Sequence, residues 1–488
     1  MDHSTRSGIA DSALAAKIAR LARGEQPRVL DMFAGAGGIS LGFHKAGFRI
    51  DGALEIEPFP ALTHAINFHG GDPELTALHA RPRDMTRVEP EQLTEELGLG
   101  SVAEAVDVLV GGPPCQAYAR VGRAKLREVA DHPEAFKVDP RGNLFLRYLA
   151  YVRAFRPLAI LMENVPDILN FGGHNVVEEM VEALEALGYD ARYTLVNTAF
   201  HGVPQTRDRV FLLAYRKELH VRVSFPKATH HMQLPSGYAG TRAVALKFVD
   251  LLGGAGFLQA DLGDQSLPFP VTAEEAIGDL PSILGTSVKR GARRFTELAP
   301  YRKTNEISNY AAAMRQWKGF EGDEGVFDHV IRYLPRDHAV FREMRQGAEY
   351  PEAHATAALI ANREAKKLGY APGTVLWQKL HNSIVPPYDI TKFPNRWWKL
   401  RSDYPVRTLM AHIGKDTYSH IHYDNVQART ISVREAARLQ SFPDGFVFTG
   451  AMNAAFRQVG NAVPPIMAHA IADLVRNALS DAADRLSS

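Results

Sequence analysis

Short apolar runs alternate with glycine-rich turns and with stretches of helical period through the first two hundred residues. Arg28 to Phe33 reads as a strand, Ala34-Gly35-Ala36-Gly37-Gly38 as a turn, and Ile39 to Ala46 as a helix. Ile50 to Ile56, Val106 to Val110, Leu158 to Met162, Ala191 to Asn197 and Val210 to Ala214 read as further strands, most of them apolar enough to be buried on both faces. Leu144 to Ala154 and Val176 to Leu187 carry helical periodicity. This alternation predicts an α/β fold with a mostly parallel, doubly wound sheet. Residues 11–23 read as a leading helix that serves packing. From about Lys217 to Arg401 the alternation fades, which marks a second, smaller domain. Order returns at Ser432, where Glu435 three residues on completes a capping box. A closing helix presents Ile466, Met467, Ala470, Ile471, Leu474 and Val475 on one face, predicted to pack on the first domain. The expected boundaries are an extension over 1–27, a first domain over 28–216, a second over 217–400, and a return to the first over 401–488.

Placing polar residues on this pattern brings out candidate chemistry. In open α/β sheets ligands bind beyond the carboxyl ends of the strands, and several predicted strands end there in polar side chains. Val106–Val110 leads into Gly111-Gly112-Pro113-Pro114-Cys115-Gln116, where the prolines restrict the backbone and Cys115 is the only cysteine of the chain. A thiolate held there can attack an electron-poor carbon. Leu158–Met162 runs into Glu163, placed in the same crevice. Arg207 and Arg209 share a face of an alternating strand and are either ion-paired or available to a phosphate or base oxygen. The glycine turn allows close approach of a ligand at the following helix N-terminus. Glu55 lies roughly twenty residues past the turn, where a nucleotide-binding fold places the acid that holds ribose hydroxyls. Asp84 is expected at the tip of a third strand. The polar segment Gln116 to Arg141, with Arg120, Arg123, Lys125 and Arg127, reads as a lid. Basic and aromatic clusters at Lys289–Arg294, Tyr301–Lys303 and Arg396–Lys399 are candidates for a phosphate backbone.

Composition narrows the classes. A chain of 488 residues with 45% apolar and 23% charged residues is an ordinary globular one with room for two or three domains. One cysteine excludes an intramolecular disulfide and a cysteine-cluster zinc site, and no metal is expected; this fits a reducing cytoplasm. Neither a signal peptide nor a membrane span is expected. The net charge of +1 does not announce nucleic acid, so any basic surface must be local.

The ordered set Asp31-Met-Phe-Ala-Gly-Ala-Gly-Gly38, Gly112-Pro-Pro-Cys-Gln116, Glu163-Asn-Val165, Gln205-Thr-Arg-Asp-Arg209, Arg434 with Leu439-Gln-Ser-Phe-Pro443, and Gly460-Asn-Ala-Val463 closely resembles the DNA (cytosine-5)-methyltransferase family. The resemblance runs from about residue 28 to residue 475. It implies a Rossmann-like methyltransferase domain and a smaller target recognition domain with double-stranded DNA between them. S-adenosylmethionine would be the methyl donor. By motif, Phe33, Gly35, Gly37 and Gly38 flank that cofactor, Glu55 holds its ribose and Asp84 its adenine. Ile56, Met85, Pro114 and Leu144 stand beside them, and Asn461 and Val463 complete the pocket. Cys115 adds to carbon-6 of a flipped cytosine, Glu163 serves ring nitrogen-3, and Arg207 and Arg209 fix the base oxygen, the adjoining phosphate or Glu163 itself. Gln116, Arg120 and Arg123 belong to the loop, Gln116 as a candidate to fill the vacated stack. The resemblance also implies a bacterial-type cytoplasmic monomer, on the nucleoid when bound to DNA, with a cognate restriction endonuclease as a candidate partner.

Two features depart from the family pattern. A family run Cys-Gln-x-[Phe/Tyr]-Ser here ends in Ala119, which removes a phosphate contact, and the loop is longer than the shortest family versions. Competing readings are a transfer-RNA methylase of the same fold, a nicotinamide-dependent oxidoreductase, a thymidylate-synthase-like enzyme, and a catalytically dead DNA-binding module. The intact Cys115 and Glu163 argue against the last.

Overall fold

A computed structural model describes residues 3–114, 144–252, 254–287, 298–303, 306–392, 394, 396–415 and 418–487. Two compact units emerge: one of 1–202, 207–269 and 462–488, the other of 203–206 and 270–461.

The first unit is built on strands β1 (Arg28–Met32), β2 (Arg49–Leu54), β3 (Val108–Gly111), β4 (Ala159–Asn164), β5 (Tyr189–Asn197) and β7 (Asp208–Arg216), in the order β2-β1-β3-β4-β7-β5. β1 pairs in parallel with β2 and β3, and β3 with β4, whereas β7 runs antiparallel between β4 and β5. The sheet is thus mostly parallel at one side, as the apolar runs predict. The chain turns from β2 back across β1 to β3, so the carboxyl ends of β1 and β3 flank a topological switch point. Because β7 is reversed, its amino end lies beside the carboxyl end of β4, with Asn164 opposite Val210. One sheet edge therefore collects the ends of β1, β3 and β4 and the start of β7.

Helices cover the sheet. α1 (His3–Ala22) extends beyond the predicted 11–23 and packs on the closing helix Pro465–Ser487. The Nζ of its buried Lys17 donates to the carbonyls of Val106 (2.6 Å), Phe155 (2.8 Å) and Arg156 (3.0 Å), and Arg20 pairs with Asp107 at 2.6 Å. The leading segment is thereby tied to the ends of elements in the core. α2 (Gly38–Lys45) meets the closing helix at Gly42, where a Cβ would stand 2.5 Å from that of Ala468. The closing helix buries Met467, Ile471 and Val475 of the expected face together with Ala468 and Ala472, whereas Ile466, Ala470 and Leu474 are only partly covered.

Three expectations are corrected. Arg83 to Thr86 is a turn and not a third strand, since its polar side chains bond locally. The alternating strand expected to carry both Arg207 and Arg209 begins only at Asp208, because β6 (Gln205–Thr206) pairs separately with Val406–Arg407, and Arg207 lies between the two strands. Residues 217–269, including helix Ser236–Leu252, belong to the first unit, and most of 401–488, up to Asn461, to the second.

The second unit is largely helical, with short pairs of strands such as Trp397–Lys399 beside Tyr418–Ile421. Trp397, Trp398 and Lys399, expected to face a phosphate backbone, are buried, and Lys399 donates its Nζ to the Phe341 carbonyl. The Lys289–Arg294 cluster lies outside the described residues. The capping box forms as predicted, and its Glu435 also pairs with Arg429. Among the described residues no helix is long and apolar enough to cross a membrane.

Candidate active site

At the switch point, the turn after β1 is held by its own backbone. Ala34 N–H donates to the Leu54 carbonyl (3.2 Å) and Gly37 N–H to that of Ala34 (2.9 Å). Phe33 takes φ 60°, a left-handed conformation that costs a side-chain-bearing residue roughly 1 kcal/mol or more. Gly35 (φ 53°) has nothing within 4 Å of where a Cβ would be, so its outer face is open. Gly37 (φ 93°) and Gly38 are closed: a Cβ at Gly37 would be 2.6 Å from Phe68, and one at Gly38 2.2 Å from the carbonyl oxygen of Val463. Val463 thus backs the turn directly, whereas Asn461 ends a helix of the second unit.

Glu55 follows β2 and accepts hydrogen bonds from Gly35 N–H (2.8 Å, Oε2) and Glu57 N–H (2.7 Å, Oε1). Burial raises its pKa, opposed by the backbone N–H groups it accepts from. Ile56 beside it is 59% exposed, an apolar side chain left uncovered among the described residues. Arg83 N–H donates to the Glu55 carbonyl at 2.7 Å, which brings Asp84 alongside. Asp84 Oδ1 accepts from the backbone and hydroxyl of Thr86 (2.9 and 2.7 Å). Met85 does not line an open surface; its side chain is in the core and its carbonyl accepts from Arg147 at 3.0 Å. Leu144 opens helix Leu144–Phe155 and packs on the same core.

Beneath the turn, Asp31 of β1 is 1% exposed; its Oδ2 accepts from Ser40 Oγ (2.7 Å), and Ser40 Oγ is 3.0 Å from His64 Nε2. Burial raises Asp31 to about 7, opposed by Ser40 and reinforced by the nearby Glu55 charge. Burial likewise holds His64 well below the usual imidazole range.

The second half of the edge carries Glu163 and Arg209. Arg209 Nε is 2.7 Å from Glu163 Oε1, each side chain 11% exposed, and Arg209 Nη1 donates to the Asp208 carbonyl at 2.7 Å. Arg207 is 1% exposed and donates from Nη2 to the Ala462 carbonyl at 3.3 Å. Burial opposes its charge, Arg209 adds to that, and Glu163 acts the other way. Gly112 leaves the carboxylate room here, because a Cβ would lie 3.1 Å from Glu163 Oε2 and press on it. Asn164 donates its Nδ2 to the Pro113 carbonyl (2.7 Å) and accepts from Val165 N–H (2.9 Å). The Gly112-Pro113-Pro114 segment is thus fastened against β4, with Pro114 exposed. Cys115, Gln116, Arg120 and Arg123 lie outside the described residues.

Three supporting groups escaped the sequence reading. Asn164 was visible inside its motif but not its tether to Pro113. Ser40 and His64 carried no separate signal. Arg242 pairs with Asp208 at 2.8 Å and donates to the Leu195 carbonyl at 2.6 Å, while the Tyr238 hydroxyl accepts from Asp208 N–H at 2.9 Å. Helix Ser236–Leu252 therefore locks the residue between the two arginines. Among the described residues no group of histidine, cysteine and carboxylate side chains is arranged to hold a metal.

Chemically, this edge joins an open glycine face beside an acceptor carboxylate to a carboxylate–arginine pair next to a tethered strand end. Comparisons with known proteins agree with that arrangement. The model of the C-5 cytosine-specific DNA methylase family matches residues 27–477. M.OihORF3336P of Oceanobacillus iheyensis, assigned as a type II methyltransferase, is 35% identical over 92% of this chain and 95% of its own. The type II methyltransferase M.AgeI of Thalassovita gelatinovora is 30% identical over 93% of this chain and 100% of its own. A crystal structure of a prophage-encoded E. coli protein, assigned as a DNA modification methyltransferase, shares the fold with a TM-score of 0.57 at 20% identity, covering 93% of this chain and 99% of that one. On its motifs, its sheet and these matches, the chain belongs to the C-5 cytosine-specific DNA methylase family.

Proposed function

We propose that this enzyme methylates carbon-5 of a flipped cytosine within a specific duplex sequence, through a covalent adduct of Cys115. The observation that carries the reading is the Glu163–Arg209 pair at 2.7 Å, with Asn164 fastening Pro113 beside it two residues before Cys115. S-adenosylmethionine fits the other half of the edge. The open face of Gly35 admits a ligand backbone, Glu55 offers carboxylate oxygens to ribose hydroxyls, and exposed Ile56 offers cover to a flat adenine. Phe33, Gly37, Gly38, Asp84, Pro114, Leu144, Val463 and Asn461 are the remaining proposed contacts. Met85 would contribute only through its backbone. Bound there, the cofactor supplies an electrophilic methyl group.

The chain's own residues prepare the base. Cytosine carbon-5 is too weak a nucleophile until the ring's aromaticity is broken. The Cys115 thiolate adds to carbon-6, forming a carbon–sulfur bond and shifting the electron pair toward carbon-5 and ring nitrogen-3. A proton held between a Glu163 carboxyl oxygen and nitrogen-3 balances the charge that builds there. Arg209 fixes Glu163 Oε1, Arg242 holds Asp208 at the start of β7, and Arg207 ties the preceding residue to the Ala462 carbonyl. After carbon-5 has gained a methyl group its proton passes to solvent water, the electron pair left behind forms the carbon-5–carbon-6 double bond as the carbon–sulfur bond breaks, Cys115 leaves as a thiolate, and the proton at nitrogen-3 returns to Glu163. The target must leave the stack for any of this, and the Gln116–Arg141 segment, with Gln116, Arg120 and Arg123, is assigned to that work. The second unit reads the target sequence. Relatives named as type II methyltransferases support a modification role beside a cognate restriction endonuclease, in a cytoplasmic monomer that associates with the nucleoid through its DNA.

The test is duplex DNA with radiolabelled S-adenosylmethionine, wild type against Cys115→Ser. Label at cytosine carbon-5 in a recurring sequence, lost in the variant, is the expected result. Label at another atom, label that survives in the variant, or label on RNA alone overturns the reading.

A further inference from the structure

In the second unit, helix Val375–Ile384 is the second arm of a helical hairpin whose first arm is Tyr350–Lys367. Thr374 caps it by accepting from Trp377 N–H. None of its residues is buried. The partly covered positions, Trp377, Leu380, His381 and Ile384, follow the i, i+3, i+4, i+7 spacing of one helical face. Val375, Gln378, Lys379 and Asn382 repeat that spacing on the opposite face, and all four are exposed, Val375 at 71%.

This outer face has a definite chemistry. Gln378 Nε2 donates to Asn382 Oδ1 at 2.8 Å. The two amides are thereby oriented with Gln378 Oε1 and Asn382 Nδ2 as the outward acceptor and donor, complementary to the N6–H donor and N7 acceptor of adenine in the major groove. Valine is an apolar partner for a thymine methyl. Lys367 is taken up by Glu364 at 2.8 Å, which leaves Lys379 as the one charged side chain of the helix itself, since Val375 to Ile384 contains no aspartate, glutamate or arginine. A ten-residue helix spans roughly 15 Å, enough to lie in a major groove about 12 Å wide. By contrast, the basic-aromatic run Trp397–Lys399 is spent on the core.

We propose that Val375–Ile384 is the base-reading helix of this methylase and enters the major groove of its target duplex. Gln378 and Asn382 together read an adenine, Val375 touches the methyl of a thymine, and Lys379 contacts a phosphate. The assignment rests on the reading of the chain as a DNA methylase and names the element that gives it sequence preference.

The experiment selects duplexes from a random-sequence pool with the full chain and maps methylated cytosines in parallel, for wild type, Gln378→Ala/Asn382→Ala and Lys379→Ala. All substituted positions are exposed, and melting curves should superimpose on wild type. The double amide variant should relax preference at one A·T pair by roughly ten- to a hundredfold while still methylating the same cytosine. Lys379→Ala should weaken all duplexes alike and lower the salt dependence by about one phosphate contact. A consensus unchanged to within about twofold in the amide variant, with cytosine methylation intact, overturns this assignment alone. Absence of both a selected sequence and label in the wild type overturns the methylase reading and this assignment with it.

Discussion

Arg209 in the first unit and Arg438 in the second are both buried arginines paired with carboxylates, and they differ in how completely they are bonded. Arg438 donates to both oxygens of Asp444, to both of Asp279 and to the Ala276 carbonyl, with no exposed side-chain surface. Around it Arg434 donates to the carbonyls of Phe327, Pro443 and Phe446, and Arg429 is bidentate to Glu435. This is a sealed network, in which each guanidinium closes loops of the unit that no hydrophobic run would hold. Arg209 meets Glu163 through one nitrogen, at strand ends, beside a glycine that leaves the carboxylate room. The same pairing is therefore structural where it is saturated, and able to take part in chemistry where it stands at a sheet edge.

Removing each guanidinium tests that difference. Arg438→Ala leaves buried Asp279 to Arg315 and buried Asp444 to the Tyr301 hydroxyl, and should cost about 3 kcal/mol, read as a lowered urea midpoint. Arg209→Ala should melt much closer to wild type yet lose roughly 10²- to 10⁴-fold in methyl transfer. If Arg438→Ala melts as wild type, the sealed network is not what holds the second unit. The next effect is on pH. Asp31 is raised from 3.8 to about 7 in the folded chain, so the native state holds a proton there that the unfolded chain has released. Its contribution is full below pH 3.8 and is lost as pH rises to about 7, at most about 1.4 kcal/mol per pH unit. Asp31→Asn should flatten that part of the stability curve; an unchanged slope would show that Asp31 does not titrate there.

Much of the first unit was legible because its code is local. Apolar runs mark strands buried on both faces, glycines mark the turn, and the motif residues Glu55, Glu163 and Arg209 stand where strands end. What failed depended on partners distant in sequence. Arg207 and Arg209 read as one alternating strand, but the pairing of Gln205–Thr206 with Val406–Arg407, two hundred residues away, leaves Arg207 between two strands. Arg396–Lys399 has the composition of a nucleic-acid surface, yet Trp397 packs against Phe341, Tyr350 and Tyr418, and nothing within the run shows it. Helix Ser236–Leu252 falls in the first unit although it lies within the stretch 217–400, because Arg242 pairs with Asp208 of β7, more than thirty residues earlier in the chain. Charge composition says that a group is ionised; only the fold says whether water or a partner satisfies it.

Within the cofactor turn, Gly38 and Gly35 repeat the opening contrast on a smaller scale. A methyl group on Gly38 would meet the Val463 carbonyl at 2.2 Å and Ala462 at 3.3 Å; Gly38→Ala should cost about 1–3 kcal/mol by overpacking. Gly35→Ala meets no atom within 4 Å but carries a side chain at φ 53°. Its stability loss should be smaller, and its main effect a raised KM for S-adenosylmethionine. Equal KM values in the two variants would argue that the open face of Gly35 is not where the cofactor lies.

The mildest change, Asn164→Ala, asks how much a neutral tether contributes beside the Glu163–Arg209 pair. It deletes the bonds to the Pro113 carbonyl and from Val165 N–H, worth about 1 kcal/mol in stability. Its larger consequence is positional, because Pro113 precedes Cys115 by two residues and the thiolate must approach carbon-6 along a narrow path. The expected result is about a tenfold lower kcat and an unchanged KM for S-adenosylmethionine. Asn164→Asp separates tether from packing: it keeps the acceptor for Val165 N–H but turns an oxygen toward the Pro113 carbonyl, and should reduce kcat at least as far as alanine does. Should the aspartate variant instead restore wild-type turnover, the bond to Pro113 would be incidental, and the strand end would owe its position to the two prolines alone.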